Sequence, residues 1–597
     1  MKLNILSAVV ALGLSSISQI SIAIETTEPV IVTATRTAQT VDESLASITV
    51  ITRNDIERLQ TNTLAETLQS INGLDVKSNG GAGKTTSIFM RGANSSHVLV
   101  MINGMRIGSI TAGTTSFQDI PLSQIARIEI VRGPRAALYG SDAIGGVINI
   151  FTHKTSDSPS VNFSAGYGSY QTSKLSAGAS GKLNDIEYAI QFGHFNTEGH
   201  NVITGNNPDK DGYENNSIST SLRYTFNNKS LLEFGFFHAK GENEYDNEFD
   251  ASPTNIYTNN SVQQSLHVKL LHSVNNYWNT TFSIGNTNDK YKGFTNNSVS
   301  SVTNSERQLF TWQNDFFVSK NNLLTVGFDY VDDKVRSTTN YNEKSRDNHS
   351  VFIQNQWNSN NQDLLVALRR DDNEAFGEHT TGNISWGYTF NNNIRLITSY
   401  GTAFMAPTFN NLYYPGGGNP NLKPEESETY EIGLRGKLKA INWSLIAYNT
   451  QIDNLISGWP GKNINKSEID GIEISASGEL FGWQQKIQIG FIDPVNKATN
   501  KILQSRARSN LRWDLDKTFG KWALGGSVLA EGYRYNDAAN TNRIGGFGLV
   551  NLRLQYVLSK QWSIYSKIDN LLNKKYETVD NYNNPERSLS LSVNYKL

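Results

Sequence analysis

The segment WGYTFNNNIRLITSYG, residues 386–401, contains the pattern that decides the fold. Two stretches of alternating apolar and polar residues flank a short asparagine turn, and aromatic residues lie next to that turn. Alternation with a period of two is typical of β-strands that have one apolar and one polar face. The same arrangement recurs at residues 222–237, 316–331 and 552–568. The pattern therefore predicts a long succession of β-hairpins.

Composition indicates which kind of β-protein these hairpins build. The 597-residue chain has a mean hydropathy of -0.43, yet it contains 25 Tyr, 26 Phe and 10 Trp. A polar average with many aromatic residues is typical of a transmembrane β-barrel, whose strands alternate lipid-facing and lumen-facing side chains. Roughly 440 residues, at about 20 per strand and connection, predict about 22 antiparallel strands. A large soluble β-sandwich or β-helix is the alternative architecture.

Several classes of protein are disfavoured by what the sequence lacks. The chain has no Cys and a net charge of -2, so we expect neither a disulfide framework nor a nucleic-acid partner. It has no apolar run of about 18 residues, which a transmembrane helix would need. It also has no sequence motif of a hydrolase or a nucleotide-binding loop, so we expect no enzyme and no catalytic cofactor.

The N-terminus has the features of a signal peptide over residues 1–23. A positive Lys2 precedes an apolar run, and the sequence SIA ending at Ala23 has the small-x-Ala form of a cleavage site. We therefore expect the chain to be exported and residues 24–37 to form an extended segment. Within that segment Val30, Ile31, Val32 and Thr33 are strand-forming but have no obvious partner strand.

A second domain precedes the barrel. Residues 53–60 and the segment from residue 63 indicate two short helices; in the second, Leu64, Leu68 and Ile71 recur at helical spacing and Gly73 stands where a C-terminal cap belongs. Gly-rich turns join short apolar strands after them. We predict a compact α+β domain over residues 38–155, followed by the barrel over residues 156–597. This domain is small enough to lie as a plug in the lumen of the barrel, which is too wide for the side chains of the wall to fill.

Two long segments of the smaller domain resemble a known family. The segment VRGPRAALYGSDAIGGVINI (131–150), with residues 88–108 before it, is similar to the plug of TonB-dependent outer-membrane transporters. In the barrel, residues 400–413, 419–433 and 568–578 are similar to segments that the family has in the same order. The resemblance covers nearly the whole mature chain. Within the family, the segment 79–107 is most similar to the cobalamin receptors.

The resemblance implies a function and partners. It implies energised uptake of cobalamin or a related corrinoid across the bacterial outer membrane, by a monomer surrounded by outer-membrane lipid. The extended segment would be the Ton box, which adds as a strand to the periplasmic domain of TonB. A ferric-siderophore receptor and a non-energised channel or adhesin are the alternatives, and the segment could instead be the plug's own first strand. The coupling residues would be Val30, Ile31, Val32, Thr33 and Ala34.

The resemblance also implies which residues contact the substrate. Two plug loops would face outward, and the neutral, hydroxyl-rich second loop, TAGTTS (111–116), suits a large ligand fringed with amides. Alternatively these residues are ordinary solvated turns, and the basic residue from the barrel is a lumen-facing cation. The candidate residues are Thr85, Ser87, Asn94, Ala112, Gly113 and Arg506.

Two acidic outer loops suggest a calcium site. Asp209 and Asp211 stand two positions apart before a glycine, a spacing that lets two carboxylates converge on one hard cation. The resemblance adds Tyr245, Asp246 and Asp250 from the next loop as ligands of a possible Ca²⁺. Asn201 replaces one expected aspartate, which lowers the negative charge of the site. The alternative is a pair of solvated acidic loops.

Overall fold

The structure is a computed structural model. It describes residues 31–32, 36–37, 39–152, 155–156, 158–204, 208–226, 229–250, 252, 254–390 and 394–597. The segment 1–23 lies outside the described residues, as do Val30, Thr33 and Ala34 of the coupling segment.

The larger part of the chain is a closed antiparallel barrel of 22 strands, which confirms the predicted architecture. Each strand pairs with the next in sequence, and the first strand pairs with the last, Asn162 opposite Lys596. A two-residue strand, Lys501–Ile502, pairs with the end of its predecessor. The barrel strands are Ser160–Gly168, Thr172–Leu183, Ile186–His200, Asp211–Phe226, Ser230–Tyr245, Tyr257–Asn275, Trp278–Thr295, Ser298–Ser319, Asn322–Ser337, Ser345–Asn358, Gln362–Asn373, Gly377–Phe390, Ile394–Met405, Glu425–Leu438, Ile441–Ser457, Lys462–Leu480, Trp483–Asn496, Ser509–Phe519, Trp522–Glu531, Phe547–Val557, Trp562–Asp569 and Ser588–Lys596.

The alternation in the sequence sorts side chains between the two faces of the barrel wall. In the strand Ser345–Asn358, Val351 and Ile353 are 56% and 46% exposed, whereas Phe352 between them is 2% exposed. Successive side chains of a strand point to opposite faces, so the exposed apolar residues form the outer surface. Apolar side chains on the outside of a barrel are those that contact lipid.

Short asparagine turns join many of the strands. Asn296 and Asn297 connect Trp278–Thr295 to Ser298–Ser319, and both have a positive φ, 49° and 63°. A two-residue turn with two positive φ values matches the twist of the strands it joins, and asparagine tolerates this conformation better than most residues. The turn chemistry therefore supports the hairpins that the alternation predicts.

The plug is built on a five-stranded mixed sheet. Its strands lie in the order Ser47–Thr52, Ile125–Arg132, Gly146–Thr152, Val98–Ile102 and Met105–Arg106, and one pair, Val98–Ile102 with Gly146–Thr152, is parallel. A separate hairpin consists of Leu74–Ser78 and Thr86–Met90.

Two small ribbons pair Ile31–Val32 with Gln39–Thr40 and Arg534–Tyr535 with Arg543–Ile544. The α-helices are Arg53–Leu59, Leu64–Gln69, Ala136–Tyr139 and Phe409–Tyr413, and the 3₁₀ helices are Ser95–His97, Phe117–Asp119 and Leu122–Gln124.

The plug helices begin where the sequence predicts. Thr52 caps the first helix by accepting a hydrogen bond from the backbone N–H of Asp55, and the Asp55 carboxylate accepts one from the N–H of Thr52. This reciprocal pair satisfies two backbone donors that a helix start leaves open. In the second helix, Leu64 and Leu68 are almost fully buried and pack with Ile128 of the sheet in one apolar core.

Hydrogen bonds hold the plug inside the lumen on several sides. Gln124 donates to Ser217 on one part of the wall at 3.0 Å, and Asn72 donates to the carbonyl of Ile489 on another at 2.9 Å. Arg36, just after the coupling segment, donates from both terminal guanidinium nitrogens to the Asp329 carboxylate. No helix within the described residues is long and apolar enough to span a membrane.

Part of the coupling segment pairs within the chain. Ile31 lies opposite Thr40 and Val32 opposite Gln39 in a two-stranded antiparallel ribbon. The ribbon is separate from the five-stranded sheet of the plug. These two residues therefore have a partner strand in the linker itself, and they do not extend the main plug sheet.

The packing of the plug generates a stability prediction. Replacing Leu68 by Ala removes a fully buried side chain, and we expect the plug to lose about 2–5 kcal/mol of stability through lost burial and a residual cavity. Hydrogen exchange of the Ile128 and Ile130 backbone amides would report this loss. Asn54→Ala, at an exposed position of the neighbouring helix, is the control and should leave exchange unchanged. Equal protection in both variants would contradict the assigned core.

Candidate substrate-binding face and acidic outer loops

The first outward plug loop joins the two strands of the separate hairpin. Thr85 is exposed and Ser87 is partly exposed, and the two flank the buried Thr86. The loop fits tightly against the barrel at Gly83, where an added Cβ would lie 2.2 Å from the ring carbon Cδ2 of Tyr213. Because Gly83 also has a φ of +79°, only glycine suits this close approach.

Asn94 and Arg506, two of the predicted substrate residues, contact each other. The Arg506 guanidinium donates to the Asn94 side-chain oxygen and, at 2.8 Å, to the carbonyl of Gly92. It also lies 4.9 Å from the centre of the Phe89 ring. Burial lowers the pKa of Arg506 to about 10. The arginine is 4% exposed, so its main role in this structure is to hold the loop that carries Asn94.

A buried histidine supports the same loop from below. The backbone N–H of Asn94 donates to His97 Nδ1 at 3.2 Å, so the His97 proton lies on Nε2, which is 2.7 Å from the Glu425 carboxylate. Both side chains are almost completely buried. Glu425 begins a barrel strand and also accepts a bond from the N–H of Ile456 at 2.6 Å. Sequence analysis did not identify this pair.

The second outward plug loop lies beside the first. Ala112 is exposed, and Gly113 has a φ of +71° and lies close to Ser96 and Thr408. The backbone N–H of Asn410, from an outer barrel loop, donates to the carbonyl of Thr111 at 3.0 Å. Contacts with the barrel therefore hold both predicted substrate loops in place.

Three of the predicted calcium ligands come together in the outer loops. Carboxylate oxygens of Asp209, Asp211 and Asp246 lie within 4.8 Å of one another. The backbone N–H of Val202 donates to Asp211 at 2.9 Å, and that of Ile203 donates to Asp246 at 3.2 Å. Burial raises the pKa of the Asp246 carboxyl, and the nearby charge of Asp209 adds to this effect.

The other two predicted ligands have different surroundings. Asp250 accepts hydrogen bonds from Tyr257, Asn255 and the N–H of Ser252, all close to it in sequence. The ring of Tyr245 packs against Tyr257 at a centroid distance of 5.8 Å. Neither residue belongs to the group of three carboxylates.

A lysine that sequence analysis did not single out reaches the acidic loops from the plug. Lys84 Nζ donates to Asn243 Oδ1 at 2.6 Å and to the carbonyls of Asp211 and Gly212 at 3.0 and 3.2 Å. Burial lowers the pKa of Lys84 to about 8, although the nearby carboxylates oppose that change. The only sequence signal is a positive residue in an otherwise neutral Gly-rich loop.

Below the outward loops, a buried arginine joins the plug to the wall. Arg91 donates to Glu473 at 2.9 and 3.1 Å and to Glu431, which lies on another strand. It also lies 4.4 Å from the centre of the Tyr448 ring.

A further cavity of about 400 Å³ lies between the plug helices and the wall, and its lining includes Lys174 and Lys567. Its lining extends to Lys84 of the first plug loop and to Asp211, but it does not include Asn94 or Ala112.

Comparison with known proteins accounts for this arrangement of barrel and plug. The family model described as "TonB-dependent Receptor Plug Domain" matches residues 40–147, and "TonB dependent receptor-like, beta-barrel" matches residues 148–571. The chain belongs to the TonB-dependent receptor family. As such it is a β-barrel protein of the bacterial outer membrane, and receptors of this family work with TonB.

Relatives of this TonB-dependent receptor include proteins named vitamin B12 transporter BtuB. The one from Photobacterium profundum is 33% identical over 599 residues, which covers 97% of each chain. The one from Vibrio vulnificus is also 33% identical over 599 residues, with 96% of each chain covered.

Solved structures of the same fold are also known. A mutant of the ferric enterobactin receptor PfeA from Pseudomonas aeruginosa has a TM-score of 0.80 and 19% identity, and the match covers 92% of this chain and 98% of that one. The siderophore receptor PirA from Acinetobacter baumannii has a TM-score of 0.80 and 18% identity, over 93% and 99% of the two chains. At these identities the likeness shows the fold alone.

The contact between Arg506 and Asn94 generates a prediction about loop order. Arg506→Lys keeps the charge but loses the planar fork, so it cannot hold Gly92 and Asn94 together. We expect hydrogen exchange at residues 92–97 to become roughly tenfold faster, because hydrogen bonds to a charged group contribute about 1.5–3 kcal/mol. Exchange of the Ile128 and Ile130 amides in the plug core is the internal control. Unchanged exchange at residues 92–97 would show that Arg506 does not order the loop.

Proposed function

We propose that this TonB-dependent receptor takes up cobalamin or a related corrinoid across the outer membrane, with energy supplied through TonB. The observation that carries the proposal is the 33% identity, over 97% of both chains, to a protein named as a vitamin B12 transporter. The siderophore receptors share the fold at 18–19% identity, which is too distant to assign a substrate. Ferric-siderophore uptake is the second candidate.

The outward face of the plug supports a ligand of low charge. Thr85, Ser87, Asn94 and Ala112 present neutral groups there. The guanidinium of Arg506 already binds the carbonyls of Gly92 and Gln504 and the Asn94 side chain, so three of its five N–H donors are engaged within the protein. A multiply anionic ligand would gain little from such a face, whereas peripheral amides can exchange hydrogen bonds with it.

Binding measurements with the purified receptor test the substrate. We expect cyanocobalamin to bind saturably and an excess of ferric siderophores not to displace it. Ala112→Trp places a large ring on the outward face and should weaken binding at least tenfold. Ala539→Trp, at an exposed position of another outer loop, is the matched control. Displacement by a siderophore, or equal affinity in both variants, would contradict the proposed substrate or its site.

Coupling to TonB would use the segment around Val32. The ribbon of Ile31–Val32 with Gln39–Thr40 is only two strands wide, so it has an open edge to which a strand of another protein can add. Arg36 holds the linker to the barrel wall at Asp329, with N–O distances of 3.1 and 2.8 Å. Force applied to the segment would therefore reach a defined anchor at Arg36, which lies in sequence between the two strands of the ribbon.

The coupling role is testable at one residue. Val32→Pro removes a backbone donor and disfavours pairing there, so we expect cyanocobalamin binding to persist while accumulation in cells falls to background. Val32→Ala keeps the N–H and should transport normally. Normal uptake in Val32→Pro would favour a non-energised channel over a TonB-dependent transporter.

The remaining partners follow from the architecture. The exposed apolar side chains of the wall, such as Val351 and Ile353, suit outer-membrane lipid as the surrounding phase. We further propose that the receptor works as a monomer and catalyses no covalent reaction.

A further inference from the structure

The acidic outer loops are joined to the plug by one buried side chain. Lys84 is 2% exposed, and its ammonium binds three oxygens, two of them backbone carbonyls of Asp211 and Gly212 and the third from Asn243. The carboxylates of Asp211 and Asp246 lie close enough to act on its charge. A positive charge fixed to the plug therefore lies beside the acidic cluster, where its hydrogen bonds go to neutral oxygens of the outer loops and not to the carboxylates.

Several of the oxygens that a calcium ion would need already accept hydrogen bonds within the protein. Calcium takes 6–8 oxygen ligands. Here Asp211 and Asp246 each accept a backbone N–H bond, and Asp250 is bound by neighbours in its own loop. The Asn201 side chain accepts a bond from the N–H of Ile203 at 3.0 Å. Three carboxylates come together, and carbonyl oxygens beside them are bound to the lysine.

We propose that Lys84 serves as the cation of this acidic cluster in place of a divalent metal, and that it thereby fastens the first outward plug loop to the outer loops of the barrel. The proposal is independent of which substrate the receptor takes up. The loop is shaped for this role, because an added Cβ on Gly80 would lie 2.7 Å from Val202 and one on Gly83 would lie 2.2 Å from Tyr213.

A lysine differs from a metal ion in how it leaves the cluster. A metal ion dissociates alone, whereas Lys84 moves only with the plug. When the plug loop is displaced, the three carboxylates lose their compensating charge and repel one another. The outer loops then loosen at the moment the plug moves. Loop opening and plug movement are therefore linked through one side chain.

The test uses the purified full-length receptor. Hydrogen exchange at the Val202 and Ile203 amides is measured once with calcium and once with chelator. Calcium binding is measured separately by calorimetric titration. These amides bind the carboxylates of Asp211 and Asp246, so their protection reports the order of the cluster. In the unmodified receptor we expect equal protection with calcium and with chelator. Protection that requires calcium would overturn the proposal without any variant.

Two variants sharpen the test. Lys84→Gln keeps most of the length of the side chain but removes its charge, so both amides should exchange at least tenfold faster in chelator, and calcium should restore protection. Its calcium affinity should exceed that of the unmodified receptor at least tenfold, which corresponds to about 1.4 kcal/mol. Lys210→Gln, an exposed lysine between Asp209 and Asp211, is the matched control and should behave like the unmodified receptor. If Lys84→Gln and Lys210→Gln behave alike, Lys84 is not the cation of the cluster.

Discussion

Backbone hydrogen bonding in a hydrocarbon phase is the constraint from which the rest of this structure follows. Lipid offers no donors or acceptors, so every strand that crosses the membrane must pair on both sides, and only a closed barrel leaves no edge. Closing 22 strands gives a lumen that side chains alone do not fill. A separate folded domain occupies that space. The plug is thus a consequence of the size of the barrel.

A domain enclosed in this way contacts the wall through both polar groups and shared apolar clusters, such as the one that joins Ala136 and Ile144 of the plug to Met405 of the wall. The contact of Arg91 with Glu431 and Glu473 shows the physical character of this interface. The free energy needed to remove three charges from water is nearly as large as the free energy gained from their attraction. Such a contact therefore positions the plug more than it stabilises the fold. The apolar core of the plug, around Leu68 and Ile128, also includes Phe237 and Ala239 of the barrel wall. Movement of the plug against the wall would therefore expose part of this core.

The architecture could be predicted from the sequence because its signals are local. Alternation along strands and the composition of the turns indicated a barrel of about 22 strands, and the 22 strands of the structure confirm it. The helix starts at Thr52 and Thr63 likewise depend on residues three positions apart. Signals of this kind lie within a few residues of each other, so one sequence is enough to detect them.

Contacts between distant segments left no such signal. The contact of Lys84 with Asn243 spans 159 positions, and that of His97 with Glu425 spans 328. Nothing in the pattern near either residue specifies its partner, because the partner is set by how the plug is oriented within the barrel. The spacing of Asp209 and Asp211 did indicate a cluster of carboxylates, but it could not show that a lysine from the plug lies beside them.

The pairing of the first strand with the last has a consequence for how the protein is made. Ser164 donates to Asn594 at 2.7 Å, although 430 positions separate them. During synthesis the first strand emerges long before its partner exists, and its open edge could pair with another chain throughout that interval. The edge of Ser160–Gly168 therefore stays open until Ser588–Lys596 arrives. Assembly in the membrane can be completed only after the end of the chain has been delivered.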